Sequence, residues 1–571
     1  MAVTAIAGLA VIAALAVPSV GALMPSVAYA DIANPITVDA DLNAAREAPK
    51  PSSYTTPLVL PDAGKIPDDA DSISFRFKSL DLVGAHAIPP TDLRRLWTVE
   101  AGAVITVADV FAFADAITAA YRNAGYALSF AVVPAQSIES GNFRIQIVEG
   151  RLEGLAITGP RISKLVRDRI ADAFSVIEPG QPTLISELER FLLLVNDIPG
   201  VTARGTVSPG SSRQTSMLTL EVMQQRFDAA VSYNNFLSES LGRDVSIIDL
   251  KAFNQWTGRD ALSISLKSAP DIAVYRSSSI DYQTYVNDNG LQLLAAASES
   301  MTAPKKGSLA AIDFSSVSYS NSVGFRMPWK RSRNSNIFVG GNFATSHTKS
   351  MNGVDITSED KLRTVSVYAE YDVSHANGAT SGITGTMTTG LTLLGARGDS
   401  RANADPSFST YQIKARHERP ILTSQNGALV GSIDLKTQLI NSDKPLLANA
   451  ECSFGGRQYG VGFDAGVLSG ETCLMGTMRL TWRQNVRSGT NAFIGQALYY
   501  LRYDKGRVRQ KGPLNAGEPR QVTASSYGVG TQLVFRNGLA FLLEASEQQK
   551  RSDVAQVREK FRTHASLHFG L

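Results

Sequence analysis

Phe561-Arg562-Thr563-His564-Ala565-Ser566-Leu567-His568-Phe569-Gly570-Leu571 is the stretch whose reading decides the fold. Its odd positions hold Phe, Thr, Ala, Leu, Phe and Leu; its even positions hold Arg, His, Ser, His and Gly. Successive side chains on a strand point to opposite faces, so one face is greasy and the other wet. A soluble sandwich hides the greasy face against a second sheet. A bacterial outer-membrane barrel shows it to lipid and keeps the wet face inside. A strand that runs to the last residue suits a barrel closed by its C-terminal strand.

The same alternation extends upstream to Phe227, in about sixteen segments across roughly 345 residues. In residues 365–373, Val365, Val367, Ala369, Tyr371 and Val373 face one way. In residues 478–483, Met478, Leu480 and Trp482 oppose Arg479, Thr481 and Arg483. Turn-rich gaps, some short and some long, match short periplasmic turns and longer surface loops. Only 19% of the 571 residues are charged and 44% are hydrophobic, with mean hydropathy −0.04. That excludes a bundle of membrane helices, which needs repeated apolar runs of about 20 residues. Barrel alternation averages to neutral hydropathy. The net charge of +3 is too balanced for a nucleic-acid binder, and 46 glycines with 17 tyrosines suit turns and aromatic girdles.

One apolar run exists, from Met1 to Met24, ending in Ala28-Tyr29-Ala30 before Asp31. It reads as a secretory signal peptide over residues 1–30. No Lys or Arg precedes Arg46, so the positive n-region is missing, as a start codon assigned too far downstream would produce. A single membrane anchor is the other reading. Residues 31–71 are proline-rich and form an expected extension and linker, with a short helix around 38–47. Two units in the order β-α-α-β-β follow, at 72–150 and 151–225. The first opens with the alternating strand Phe75-Arg76-Phe77-Lys78-Ser79-Leu80-Asp81-Leu82-Val83-Gly84 and closes with Phe143-Arg144-Ile145-Gln146-Ile147-Val148-Glu149-Gly150. A repeat of about 75 residues points to a tandem module.

Two such modules before a C-terminal barrel resemble the polypeptide-transport-associated (POTRA) domains of a two-partner secretion transporter. This is the TpsB family of ShlB/FhaC/HecB-type haemolysin secretion and activation proteins. The Val-Glu-Gly ending at Gly150 is similar to the family's first-module closing strand. Leu192-Leu193-Leu194-Val195-Asn196-Asp197-Ile198-Pro199-Gly200-Val201 is similar to a helix end and turn of the second. The most specific match is Phe454-Gly455-Gly456-Arg457-Gln458-Tyr459-Gly460-Val461-Gly462-Phe463-Asp464. It resembles the loop between the eleventh and twelfth strands, which in this family folds back into the lumen. The resemblance implies a 16-stranded antiparallel barrel over 226–571 with an inward loop at about 443–472. Gly455, Gly456, Tyr459, Gly460, Val461, Gly462, Phe463 and Asp464 form its gating motif.

The chain departs from the family where an Arg usually precedes the motif's aromatic by two residues: Val461 stands there. In the family that Arg pairs with an inward aspartate. The matching strand reads Tyr500-Leu501-Arg502-Tyr503-Asp504, where Asp504 is kept and Arg502 replaces the usual aromatic. By alternation Arg502 and Asp504 share a face, the lumen if Tyr499, Leu501 and Tyr503 meet lipid. Arg502 is then placed to supply the missing charge partner; two independently solvated pore charges are the alternative. The only two cysteines, Cys452 and Cys473, bracket the motif, and in an exported chain they suggest a disulfide. Two free buried thiols are the bland alternative.

Enzyme signals are poor. Gly455-Gly456 lacks the strand-turn-helix context of a nucleotide site. The six histidines show no metal spacing apart from His564 and His568, which share a strand face about 13 Å apart and read as lumen residues rather than metal ligands. The expected function is therefore non-enzymatic, without cofactor or metal. The resemblance implies a monomeric pore embedded in outer-membrane lipid that recognises a large exported partner, an adhesin or haemolysin-like β-helical protein, through the POTRA modules and passes it outward without nucleotide. The alternative is an assembly factor of the same superfamily that inserts other barrels.

Overall fold

The computed structural model describes residues 66–570 apart from 176, 178–179, 213, 443, 486–492, 513, 515–518 and 553–560. The expected signal peptide, the helix around 38–47, most of the 31–71 extension and Leu571 lie outside the described residues. The first α/β unit consists of β1 (Ser79–Val83), α1 (Pro90–Arg94), α2 (Val107–Asn123), β2 (Phe130–Val132) and β3 (Asn142–Val148). The strand order is β1-β3-β2, with β1 parallel and β2 antiparallel to β3. The second consists of β4 (Arg151–Thr158), α3 (Lys164–Phe174), α4 (Ile185–Asp197), β5 (Val201–Pro209) and β6 (Thr215–Gln224). Its order, β4-β6-β5, repeats the same topology and the same strand senses.

Local sequence explains these elements. Thr106 and Asp109 form a reciprocal capping box at the start of α2, which satisfies amides that the first helical turn would otherwise leave unpaired. The helix then buries Val110, Phe113, Ala114, Ile117 and Tyr121 against Phe143, Ile145 and Ile147 of β3. Each such large side chain contributes about 1.5–3 kcal/mol when removed from water. Glu149, of the Val-Glu-Gly ending, accepts from the amides of His86 and Ala87 and from the Tyr121 hydroxyl, each at 2.7 Å. Burial, reinforced by that bond, pushes the Tyr121 phenol above its ordinary range.

Two details differ from the sequence reading. The strand expected over 75–84 is two. Ser74–Arg76 pairs with Val104–Thr106, and only from Ser79 does the chain join the main sheet. The hydrogen-bond partner changes in between, the Phe77 amide donating to Ala103 (2.9 Å) and the Lys78 amide to Gly141 (2.7 Å). Alternation survives that exchange, so the break is invisible in the sequence. Secondly, Ala70, placed in the linker, is buried and its carbonyl accepts from Ala108 at 3.1 Å, so the unit begins earlier.

From Phe227 onward, sixteen antiparallel strands among the described residues close on themselves, the last (Phe561–Gly570) pairing with the first (Phe227–Asn234). That closing seam holds five residue pairs, from Ser566↔Asn234 to Gly570↔Ala230. Apolar side chains such as Val231, Tyr233, Leu266, Ile280, Leu501 and Leu567 are exposed on the outside, while Asp249, Ser265, Thr410, Arg502 and Asp504 are buried within. The wall is thus apolar without and polar within, the pattern of a membrane barrel. No described helix is long and apolar enough to cross a membrane.

The second unit is fastened to the near rim of the barrel. Arg331 grips Asp197 at the end of α4 with two bonds, 2.9 and 2.7 Å. Asn254 donates to the Pro199 carbonyl at 2.6 Å, and Arg259 to the Arg169 carbonyl of α3 at 2.9 Å.

Candidate functional site

The strand Gly427–Asn441 is the eleventh of the barrel and Thr472–Asn485 the twelfth. The first barrel strand leaves the α/β units, so odd-numbered strands end at the opposite rim. The segment between the eleventh and twelfth strands therefore enters the lumen from the far end. It folds as a narrow ribbon, Cys452–Phe454 paired with Leu468–Gly470. Cys452 and Cys473 are joined across its base, Cα–Cα 6.3 Å. Glu471, fully buried, accepts from the amides of Leu446 (3.0 Å) and Gly512 (2.9 Å) and so fixes the loop's exit.

The tip is turned back by Gly460, whose φ of 92° lies in the left-handed region that disfavours side chains. Phe454 and Phe463 lie with ring centroids 5.8 Å apart, in a core with Tyr459, Leu468, Met475 and Val508. Gly462 presses on the wall: a Cβ there would meet Ser526 Cβ at 2.9 Å. Its amide donates to the Ser526 hydroxyl at 3.3 Å, and its carbonyl accepts from Gln548 at 2.8 Å. The Val461 carbonyl accepts from His564 Nε2 (3.0 Å) and from the Ser546 hydroxyl (3.3 Å).

Asp504 lies at the centre of this contact. Its carboxylate accepts from Arg502 Nε at 2.9 and 3.0 Å, from the Val461 amide at 3.0 Å, and from the hydroxyls of Thr477 (2.5 Å) and Ser526 (3.4 Å). Arg502 also donates from Nη2 to the Gln458 carbonyl at 2.9 Å. The two charged side chains are 1% and 0% exposed. The structure thus brings Arg502 and Asp504 together, and both hold loop backbone. The position occupied by Val461 contributes an amide and a carbonyl, not a charge. Tyr499, Leu501 and Tyr503 point outward from the same strand.

A second ion pair went unread in the sequence. Arg562 of the last strand pairs with Asp464 of the loop, both largely buried. Arg457 stacks over Phe236, just past the first strand, with its guanidinium carbon 4.1 Å from the ring centroid. The loop is therefore tied to both chain segments that flank the closing seam. Alternation marked Arg562 and His564 as inward; which loop residue each would meet depends on barrel register, which no local pattern carries. His568 meets Ser232 of the first barrel strand at 2.8 Å. Among the described residues no cluster of three or more His, Cys, Asp or Glu could hold a metal. What the arrangement does is place a packed, hydrogen-bonded loop inside the lumen.

Comparison with known proteins accords with this geometry. The family model for the haemolysin secretion/activation protein ShlB/FhaC/HecB matches residues 214–533, and that for the ShlB-type POTRA domain matches residues 75–150. The heme/hemopexin transporter protein HuxB of Haemophilus influenzae (strain 86-028NP) is 27% identical over 188 residues, which span 33% of this chain and 33% of that protein. Among solved structures, CdiB from Escherichia coli superposes with TM-score 0.69 at 16% identity, covering 93% of this chain and 96% of that one. CdiB from Acinetobacter baumannii gives 0.62 at 16% identity over 94% and 97%. BamA from Haemophilus ducreyi lacking POTRA domains 1–3 gives 0.50 at 11% identity over 87% and 100%. These likenesses establish a shared fold.

Proposed function

The chain belongs to the ShlB/FhaC/HecB family of haemolysin secretion/activation proteins, and from that premise we propose that it is the outer-membrane pore of a two-partner secretion pair. The barrel resides in the outer membrane and the POTRA region in the periplasm. The pore takes one large exoprotein, an adhesin or a haemolysin-like β-helical protein, from the periplasm and threads it to the cell surface. No nucleotide drives the step; folding of the partner outside pulls it forward.

The observation that carries this reading is the inward loop, bound inside the lumen from the surface end while α/β units stand at the other. A plain solute pore needs neither. The second unit repeats the topology of the matched POTRA domain, so both serve as POTRA modules. Among the described residues each sheet leaves its outer strands unpaired on one side, β4 and β5 in the second. An extended segment of the partner adds to such an edge by main-chain hydrogen bonds. The loop tip gates the lumen, and Arg502 with Asp504 latches it shut. The protein acts as a monomer.

Deletion of the gene in its native host tests the proposal. Loss of one very large surface protein, with other outer-membrane barrels at normal abundance, is the expected result. Broad depletion of barrels would instead make the chain an assembly factor.

A further inference from the structure

The barrel strand Ile494–Arg509 carries a feature on its lipid side that neither secretion nor the loop uses. Its outward positions read Tyr499, Leu501, Tyr503, Lys505, Arg507 and Arg509. An apolar and aromatic run thus gives way to three successive basic residues at the far, cell-surface end. All three are exposed, while the intervening Asp504, Gly506 and Val508 are buried. At about 3.3 Å per residue and a tilt near 40°, Lys505 to Arg509 rises roughly 10 Å along the membrane normal. That span begins just above Tyr503, where girdle aromatics mark the edge of the hydrocarbon, and so covers the headgroup layer of the outer leaflet.

We propose that Lys505, Arg507 and Arg509 form a binding site for the phosphate groups of the outer-leaflet glycolipid, the phosphorylated lipid A portion of lipopolysaccharide. Arginine offers a planar fork that matches phosphate oxygens with two parallel bonds. Adjacent outward side chains stand about 7 Å apart along the strand, so one phosphate can be reached by two of them. The flanks suit a glycolipid. On one side Arg509 and Arg507 are opposite Gln521 and Thr523, which are exposed and half-buried and are polar groups suited to sugar hydroxyls. On the other, Met478 is opposite Tyr503, one outward step below Lys505, and is exposed where it can meet an acyl chain.

A second outward basic cluster makes the contrast. There His347, Lys361 and Arg397 converge on Glu359 at 2.8, 3.1 and 2.5 Å, so the cluster supplies its own anion. Among the described residues Lys505, Arg507 and Arg509 have no such carboxylate. Glu547, level with Tyr503 two strands away, is engaged by the Tyr527 hydroxyl. Three neighbouring cations on a membrane-facing wall call for an external anion, and at that depth the abundant one is the lipid phosphate.

The test is native mass spectrometry of the full-length protein in detergent, titrated with bisphosphorylated lipid A, its dephosphorylated form, or phosphatidylglycerol. The triple variant Lys505→Gln, Arg507→Gln, Arg509→Gln is compared with the parent and with Arg276→Gln, an exposed outward residue elsewhere on the barrel. Heat-modifiable gel mobility verifies that each barrel is closed. Each basic residue near an anionic surface is worth roughly fivefold, so the triple variant should bind bisphosphorylated lipid A about 100-fold more weakly. Arg276→Gln should bind as the parent does, and dephosphorylated lipid A should bind the parent no better than bisphosphorylated lipid A binds the triple variant. Equal binding by parent and triple variant, or by the two lipid A forms, would overturn the proposal. Phosphatidylglycerol binding as tightly as lipid A would refute the glycolipid assignment. The readout needs no secreted partner, so its failure is separable from failure of the proposed function.

Discussion

Replacing Arg502 with Ala should release the inward loop while leaving the barrel intact. The pair it forms with Asp504 is essentially water-free, so solvent screening, which makes exposed pairs nearly worthless, gives little relief. Removing one partner of a buried pair typically costs about 3–5 kcal/mol, because the other charge is stranded. Asp504 retains the Val461 amide and the Thr477 and Ser526 hydroxyls, which places the loss near the lower figure, ~3 kcal/mol. The cost falls on the docked state in particular. Once the loop withdraws, lumen water can solvate Asp504, so undocking becomes easier by about two orders of magnitude. Hydrogen exchange at the amides of Val461, Gly462 and Phe463 in nanodiscs reads this directly as a roughly 100-fold fall in protection. Secretion should be impaired with normal amounts of protein in the membrane. Adding Val461→Arg should restore part of the protection by returning a cation to the space that Arg502 vacated. Unchanged protection in Arg502→Ala, or a double variant no better than the single one, would mean that the loop is held by Phe454, Phe463 and the disulfide, without an ionic latch.

The other expectations are more direct. Deleting residues 75–223 should leave a barrel that inserts but exports nothing; continued export would contradict the division of labour. Thiol labelling of denatured, unreduced protein should find neither Cys452 nor Cys473, and two labels should appear after reduction; opening this loop should lower stability by ~3 kcal/mol in the chain-entropy model. Glu149→Ala should loosen the first module, since three donors lose their acceptor; faster exchange at His86 and Ala87 is the readout, and no change would make Glu149 dispensable. In the parent, the raised Tyr121 pKa means the folded module holds its phenolic proton where the unfolded chain releases it. Its contribution is therefore fully present below about pH 10 and lost as pH rises beyond that value. Asp197→Ala should weaken the hold of the second module on the rim, and the swap Asp197→Arg with Arg331→Asp should restore it, as judged by cross-linking yield between α4 and the barrel turn at Asn289, whose carbonyl accepts from Arg190 of α4 at 3.4 Å.

Much is legible in the sequence because alternation is a local property. Period two in Phe561–Gly570, with period 3.6 in Val107–Asn123, was enough to separate a lipid-facing barrel from the α/β units, and the alternation of Tyr499, Leu501 and Tyr503 oriented Arg502 and Asp504 toward the same lumen. The spacing of Cys452 and Cys473 around the loop was equally local. Tertiary structure alone decided the rest. Whether Arg502 would meet Asp504 or water depended on the loop tip closing over both, which is a question of burial. The pairing of Arg562 with Asp464, 98 residues apart, depended on how the loop threads a closed barrel, and so did the bond from His564 to Val461. The division of the strand over 75–84 rested on which backbone groups lay alongside it. A side chain's face follows from its own neighbours in sequence; its partner follows from register and closure, which sum contributions from the whole chain.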